Sequence, residues 1–312
     1  MSKRKVSIKR LSGIPNEMLT PLPLDVETYP QPRNKNLPRL FWLYAIAGQR
    51  GSGKTQLGIR MLKNYEMSGL YDDHGHKIPQ RTILFSPTYA SNPVWKRLDS
   101  LHVEDVHETF TDKALTDVVK EITADRLKTR RYKQAVYLWK QFSAYILKDK
   151  DPLLRMKKED LQLLSSETNG FKDPPIEPAH PHGQAVFLVL DDCLSSSAMS
   201  LNRLNAFAGY CCNSRHSWTS IMVLTQRAKQ LPPVIRSNLT IISHYQLMSK
   251  KCLIEEVWPI VSQLLTEEEF LIYFAAATRE KHDCLTVDTT APPGHQVKKN
   301  LDCVMSLTPE RA

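Results

Sequence analysis

The residues best suited to chemistry lie in one run, Gly48-Gln49-Arg50-Gly51-Ser52-Gly53-Lys54-Thr55, which satisfies the pattern G-x-x-x-x-G-K-[ST]. Gly48, Gly51 and Gly53 let the backbone aim successive amide hydrogens inward at phosphate oxygens. Gln49, Arg50 and Ser52 fill the variable positions, and Arg50 adds a further candidate phosphate contact. Lys54 brings a cation towards the β- and γ-phosphates, and the Thr55 hydroxyl suits Mg²⁺. Gln56 then opens a helical pattern through Leu57, Ile59 and Leu62, whose positive end would face the same phosphates. Ordinary residue frequencies give such a match in roughly one random chain of this length per hundred. Here an apolar run precedes it and a helical pattern follows, as the motif requires.

Two further strand ends carry polar groups. Phe187-Leu-Val-Leu-Asp191-Asp192 is an apolar run closed by paired acids. Asp191 is suited to hold Mg²⁺ through water, and Asp192 either polarises the attacking water or is a solvated carboxylate at a strand end. Ile221-Met-Val-Leu-Thr225-Gln226 would put Gln226 beside the γ-phosphate if its strand neighbours the one ending in Asp191. Arg215 and Arg236 flank that run. Either could stabilise transition-state charge, in its own subunit or a neighbour's, and either could be an ordinary surface arginine.

The elements that must position these groups read as a fold. Short apolar runs at Leu40–Ala47, Thr82–Phe85, Ala185–Leu190, Ser220–Leu224 and Leu239–Tyr245 fit strands buried on both faces of a mainly parallel sheet. Helical patterns lie between them. The fold class expected is α/β: a P-loop NTPase with a mainly parallel, RecA-like sheet flanked by helices, plus a helical insert. The spacing predicts two amphipathic helices from Asp112 to Lys158, within an insert covering about residues 112–183. The second helix carries a basic face of Arg126, Lys128, Arg130, Arg131, Lys133 and Lys140. A helix over Glu267–Ala277 and a strand around Asp283–Val287 follow. Residues 1–38 read as a basic, proline-rich arm, 39–290 as the ATPase domain, and 291–312 as a tail.

Composition narrows the classes. The chain has 312 residues, with 42 Lys plus Arg against 33 Asp plus Glu, a net charge of +9 that suits a polyanionic partner. No apolar run approaches the roughly 18 residues of a membrane span, and no apolar segment follows the charged start, so neither a spanning nor a secreted chain is expected. The six cysteines form no CxxC pair and no zinc-ligand spacing, which predicts reduced thiols. No N-K-x-D guanine signature follows the loop (Asn34-Lys-Asn-Leu lies before it and lacks the aspartate), which argues against a GTPase.

The order of elements also carries a resemblance. Ala47-Gly-Gln-Arg-Gly-Ser-Gly-Lys-Thr, Ile83-Leu-Phe-Ser-Pro-Thr-Tyr with Asn92-Pro-Val-Trp, Val189-Leu-Asp-Asp, Arg215-His, Leu224-Thr-Gln and Leu231-Pro-Pro-Val-Ile-Arg-Ser-Asn together resemble the genome-packaging ATPases of large double-stranded DNA viruses. These are poxvirus-type members of the FtsK–HerA superfamily. The likeness covers about Leu40 to Ser249, with looser agreement to about Asp288. It implies an ATP- and Mg²⁺-dependent motor that packages double-stranded DNA. The motor would be a ring homo-oligomer, a pentamer or hexamer, working with capsid or portal-site proteins. Its place would be the host cytoplasm or nucleus at sites of virion assembly, or the virion itself. Carried onto this chain, Lys54 and Thr55 take the nucleotide and metal roles, Asp191 the metal, Asp192 the water and Gln226 the sensor, with Arg236 the first choice for an inter-subunit arginine and Arg215 the second. Asp192 departs from the pattern, since many relatives have Glu there. A helicase-like or AAA+ nucleic-acid ATPase, and a nucleotide-gated assembly protein, remain as alternatives.

Overall fold

The computed structural model describes residues 29–148, 150–193, 196–199, 206–246 and 249–307. Most of the arm expected over residues 1–38 lies outside them. In chain order the described elements begin with β1 (Gln31–Pro32), β2 (Leu43–Ala47), α1 (Lys54–Ser68), β3 (Leu70–Tyr71), β4 (Lys77–Ile78), β5 (Gln80–Phe85) and β6 (Leu101–His107). The middle of the chain forms α2 (Asp112–Ile146), α3 (Lys158–Glu167), β7 (Ala185–Asp191), α4 (Ala206–Asn213), β8 (Thr219–Thr225), α5 (Pro233–Ser237) and β9 (Ile241–Tyr245). Last come α6 (Lys250–Glu256), α7 (Trp258–Val261), α8 (Glu267–Ala277), β10 (Cys284–Asp288), β11 (Val297–Lys299) and β12 (Cys303–Val304).

Nine strands make one sheet in the order β12-β11-β10-β9-β2-β8-β7-β5-β6, and β1, β3 and β4 form a small separate one. From β6 across to β9 every pairing in the large sheet is parallel; β10 to β12 add antiparallel strands at one side. Every residue of β2, β7, β8 and β9 is buried, which is why these segments read as nearly continuous apolar runs rather than alternating ones. Their alternate side chains feed two cores. Tyr44, Ile46, Phe187 and Leu224 meet Leu57, Met61 and Leu62 of α1 on one face. Leu43, Ala45, Leu188 and Val223 share the other with Leu115 and Val118 of α2, Phe207 of α4 and Phe270 of α8. The chain is therefore α/β with helices on both faces of a mostly parallel sheet, as a P-loop NTPase requires.

Several expectations change. Asp112–Ile146 is a single helix, capped where the Thr111 hydroxyl accepts from the Ala114 amide, rather than two helices before Lys158. The stretch between the two apolar patterns holds neither Gly nor Pro, so nothing stops the helix. Its start packs on the main core and its end, through Leu138 and Phe142, on Leu164 of α3. Arg126 leaves the expected basic face: it is buried, with its guanidinium 3.7 Å over the Trp218 ring. The edge strand β6 was not anticipated, because Leu101-His-Val-Glu-Asp-Val-His, exposed at His102 to Glu104 and charged at Glu104 and Asp105, lacks the apolar signal. Arg81 of β5 holds Asp105 of β6 with two nitrogens and Glu121 of α2 at 2.7 Å. The sheet also runs past residue 290, through β11 and β12.

Candidate functional site

Because β2, β5, β7, β8 and β9 run parallel, their carboxyl ends form one edge of the sheet. Such an edge is where α/β sheets place ligands. A cavity of about 1150 Å³ opens there, lined by Arg50, Gly51, Gly53, Lys54, Thr55 and Gln56 together with Asp191, Asp192 and Gln226. Three motifs lying as much as 178 positions apart in sequence thus reach one cavity. The register explains it: β8 lies between β2 and β7, so Ala47, Thr225 and Asp191 end side by side.

The loop's shape follows from its glycines. Gly53 has φ +108°, and α1 begins at the next residue, so the turn points the first amides of the helix at the cavity. Gly48 sits against Tyr245: a Cβ there would lie 2.9 Å from the tyrosine ring and 2.7 Å from Ser52 Oγ. The Gly48 amide donates to Thr225 O at 3.1 Å, tying the loop to the end of β8. Gly48, Gln49 and Ser52 form the loop's frame rather than its cavity face: Lys54 Nζ donates to Gly48 O at 2.8 Å and Gln49 O at 3.1 Å. Burial lowers the Lys54 pKa, while Asp192 and Asp191 act to raise it.

Asp191 is buried at the end of β7, and one of its oxygens, Oδ2, accepts from the Trp95 indole at 3.0 Å. Burial first, then the neighbouring Asp192, pushes its pKa up to about 6; the Trp95 hydrogen bond and Lys54 oppose the shift. Asp192 is exposed and left-handed, with φ +55°, a conformation aspartate tolerates better than most residues. The turn swings it away from the strand line and into the cavity wall. Gln226 is exposed between two fixed neighbours. Thr225 Oγ1 donates to Arg227 O at 2.9 Å, and Arg227 pairs with the buried Glu256 of α6.

The arginines chosen from sequence do not join this group within one chain. Arg215 lies four positions before β8 and Arg236 five before β9, which puts both towards the amino ends of parallel strands, at the opposite edge of the sheet. A strand of five to seven residues separates the edges by roughly 20 Å. Arg236 Nε is buried without a hydrogen bond. Arg97 and Arg60 line the cavity instead, beside Arg50.

Other cavity residues were missed. Tyr245 floors the loop, and His282 Nδ1 lies 3.1 Å from Ser52 O. His282 and Asn300 come from the β9–β10–β11 side, outside any motif, so no sequence signal pointed to them. Trp95 lay inside the Asn-Pro-Val-Trp segment of the resemblance, which gave it no role.

The donor set fits a nucleoside triphosphate with a hard divalent cation. The buried Lys54 ammonium faces two carboxylates, and hydroxyl and carboxylate oxygens supply Mg²⁺-type ligands. Among the described residues no helix is long and apolar enough to cross a membrane.

No protein-family model and no curated protein matches the chain. Among solved structures it is similar to the genome packaging NTPase B204 of Sulfolobus turreted icosahedral virus 2 bound to AMPPCP. That likeness has 12 % identity and a TM-score of 0.43, over 87 % of this chain and 100 % of that one. It is also similar to the cytoplasmic domain of the type VII secretion ATPase EccC of Thermomonospora curvata, with 13 % identity and a TM-score of 0.40, over 93 % of this chain and 31 % of that one. A third is the pCW3 conjugation coupling protein TcpA with ATPγS, at 10 % identity and a TM-score of 0.38, over 85 % and 61 % of the two chains. Likenesses at this level transfer no residue roles.

Proposed function

We propose that the chain is an ATPase that drives double-stranded DNA into a viral capsid. The observation carrying the hydrolytic part is the meeting of Lys54, Thr55, Asp191, Asp192 and Gln226 around one cavity at the carboxyl edge of the sheet. Lys54 and the loop amides bind and orient the phosphates; Thr55 and Asp191 would hold Mg²⁺ directly or through water. Bound there, Mg²⁺ would neutralise phosphate charge as the bond to the leaving group breaks. Asp192 accepts the proton of the attacking water, and Gln226 orients that water and reports the γ-phosphate through Thr225 and Arg227.

The DNA part rests on the net charge of +9, on the exposed Lys128, Arg130, Arg131 and Lys140 along α2, and on the motif resemblance to packaging ATPases. A ring of like subunits at the capsid or portal completes the reading, at sites of virion assembly in the host or within the virion. Its arginine in trans is Arg236 or Arg215, each of which would have to reach a neighbour's cavity from the far edge of the sheet.

Phosphate release by the purified chain, with and without long double-stranded DNA, tests the reading beside Lys54→Ala. DNA should stimulate release, and the variant should lose it by at least about 100-fold. Release indifferent to DNA would make it a different ATPase, and binding of ATP without release would make it a nucleotide-gated assembly protein.

A further inference from the structure

Away from the cavity, four histidines occur in two H-x-H pairs, His74-Gly-His76 and His180-Pro-His182, 104 positions apart from His76 to His180. The fold brings the two loops together. The first is the turn joining β3 to β4, where Asp72 Oδ1 accepts the amides of His74 at 3.0 Å and His76 at 2.8 Å. That leaves Oδ2 to the two imidazoles: His76 Nδ1 lies 3.0 Å from it and His182 Nδ1 4.0 Å. The second loop is held independently by α2. Thr129 Oγ1 donates to His180 O at 2.9 Å and Lys133 Nζ to His182 O at 3.2 Å. One carboxylate oxygen and two imidazole nitrogens, all within 4.8 Å of one another, therefore converge from two separately anchored loops.

The geometry points to a metal site in which Asp72 Oδ2, His76 Nδ1 and His182 Nδ1 bind a divalent first-row transition ion of the Zn²⁺ class. Bonds of about 2.0–2.1 Å to a tetrahedral ion set neighbouring ligand atoms about 3.4 Å apart. The two distances to Asp72 bracket that value. Imidazole nitrogen beside a carboxylate selects transition ions over Mg²⁺ or Ca²⁺, which take oxygen. Asp72 is already braced as metal ligands usually are, with its side chain only 7 % exposed and its second oxygen occupied by amides. The imidazoles stack with centroids 3.8 Å apart at 11°, so binding requires the 40 %-exposed His182 side chain to tilt out of the stack. A bound ion would clamp the β3–β4 turn to the loop that leads, three residues later, into β7 and so to Asp191.

The test uses the untagged full chain, stripped of metal and held in excess Mg²⁺ so that the nucleotide cavity does not compete. Zn²⁺ is titrated by calorimetry and Co²⁺ by visible absorption, with no nucleotide present. One equivalent should bind, His182→Ala and His76→Ala should each weaken it by at least about 10-fold, and His295→Ala should leave it unchanged. Zn²⁺ should also raise the melting temperature of the parent chain and not of His182→Ala, with circular dichroism checking that each variant is folded. The site is wrong if no equivalent binds, or if His182→Ala binds as tightly as the parent. A sulfur-to-cobalt charge-transfer band would equally overturn it, by moving the ligands to the exposed Cys212 or Cys303.

Discussion

Asp191 is pulled in opposite directions. Burial raises its pKa to about 6, whereas binding a hydrated cation needs the carboxylate ionised. The Trp95 indole donates to that carboxylate and so favours the charged form. In Trp95→Phe the donor is gone, the pKa of Asp191 rises further, and protons compete with Mg²⁺ up to a higher pH. The acid limb of Mg²⁺-dependent phosphate release should then move to higher pH by about one unit or more, since a hydrogen bond to a charged group contributes about 1.5 kcal/mol or more. More Mg²⁺ should be needed for half-maximal rate at pH 6.5 than at pH 8. A variant slowed equally at every pH and Mg²⁺ concentration would mean that Trp95 only fills space. At this scale the sequence showed the groups proposed to touch phosphate and metal, because such chemistry restricts residue type at fixed spacing. It did not show Trp95, Tyr245 or His282, whose roles depend on which strands become neighbours.

The elements divide in the same way. Strands buried on both faces announce themselves as apolar runs, so β2, β5, β7, β8 and β9 were legible to within a few residues. β6 was not, because an edge strand stabilised by Arg81–Asp105 and Arg81–Glu121 carries charge where a central strand carries valine. The long helix α2 shows how a surface pattern misleads when contacts are unknown. Arg126 belongs by sequence to the basic face and by structure to Trp218, and the Lys133 amine is engaged with the His182 carbonyl. Lys128, although paired with the part-exposed Asp125 at 3.2 Å, joins Arg131 and Lys140 as exposed charges able to follow a phosphate backbone. Replacing all three by Glu should weaken double-stranded DNA binding and flatten the slope of log affinity against log salt by about three. ATP hydrolysis without DNA should be unchanged, since none of the three lines the cavity. An unchanged slope would place the DNA contact elsewhere on the molecule.

At the scale of the whole molecule, the parallel sheet separates two chemistries by its own length. The phosphate loop, Asp191, Asp192 and Gln226 occupy the carboxyl edge, and Arg215 and Arg236 the other. A single chain therefore cannot bring either arginine to its own γ-phosphate. If Arg236 acts, it acts on a neighbour, and that has a consequence which a monomer cannot imitate. Lys54→Ala lacks the loop lysine but keeps its arginine; Arg236→Ala lacks the arginine but keeps its lysine. Each alone should be inactive. Mixed and allowed to exchange subunits, they form interfaces where an intact loop meets an intact arginine, so DNA-stimulated phosphate release should return. Equal mixing should restore up to about a quarter of the parent rate, the share of interfaces pairing a lysine-bearing loop with an arginine-bearing neighbour, as expected when one group completes another subunit's site. The same mixture with Arg215→Ala decides between the two arginines. If both mixtures stay silent while light scattering shows mixed rings, the transition-state charge is met from within the chain, and Arg50, Arg60 and Arg97 at the cavity become the residues to replace.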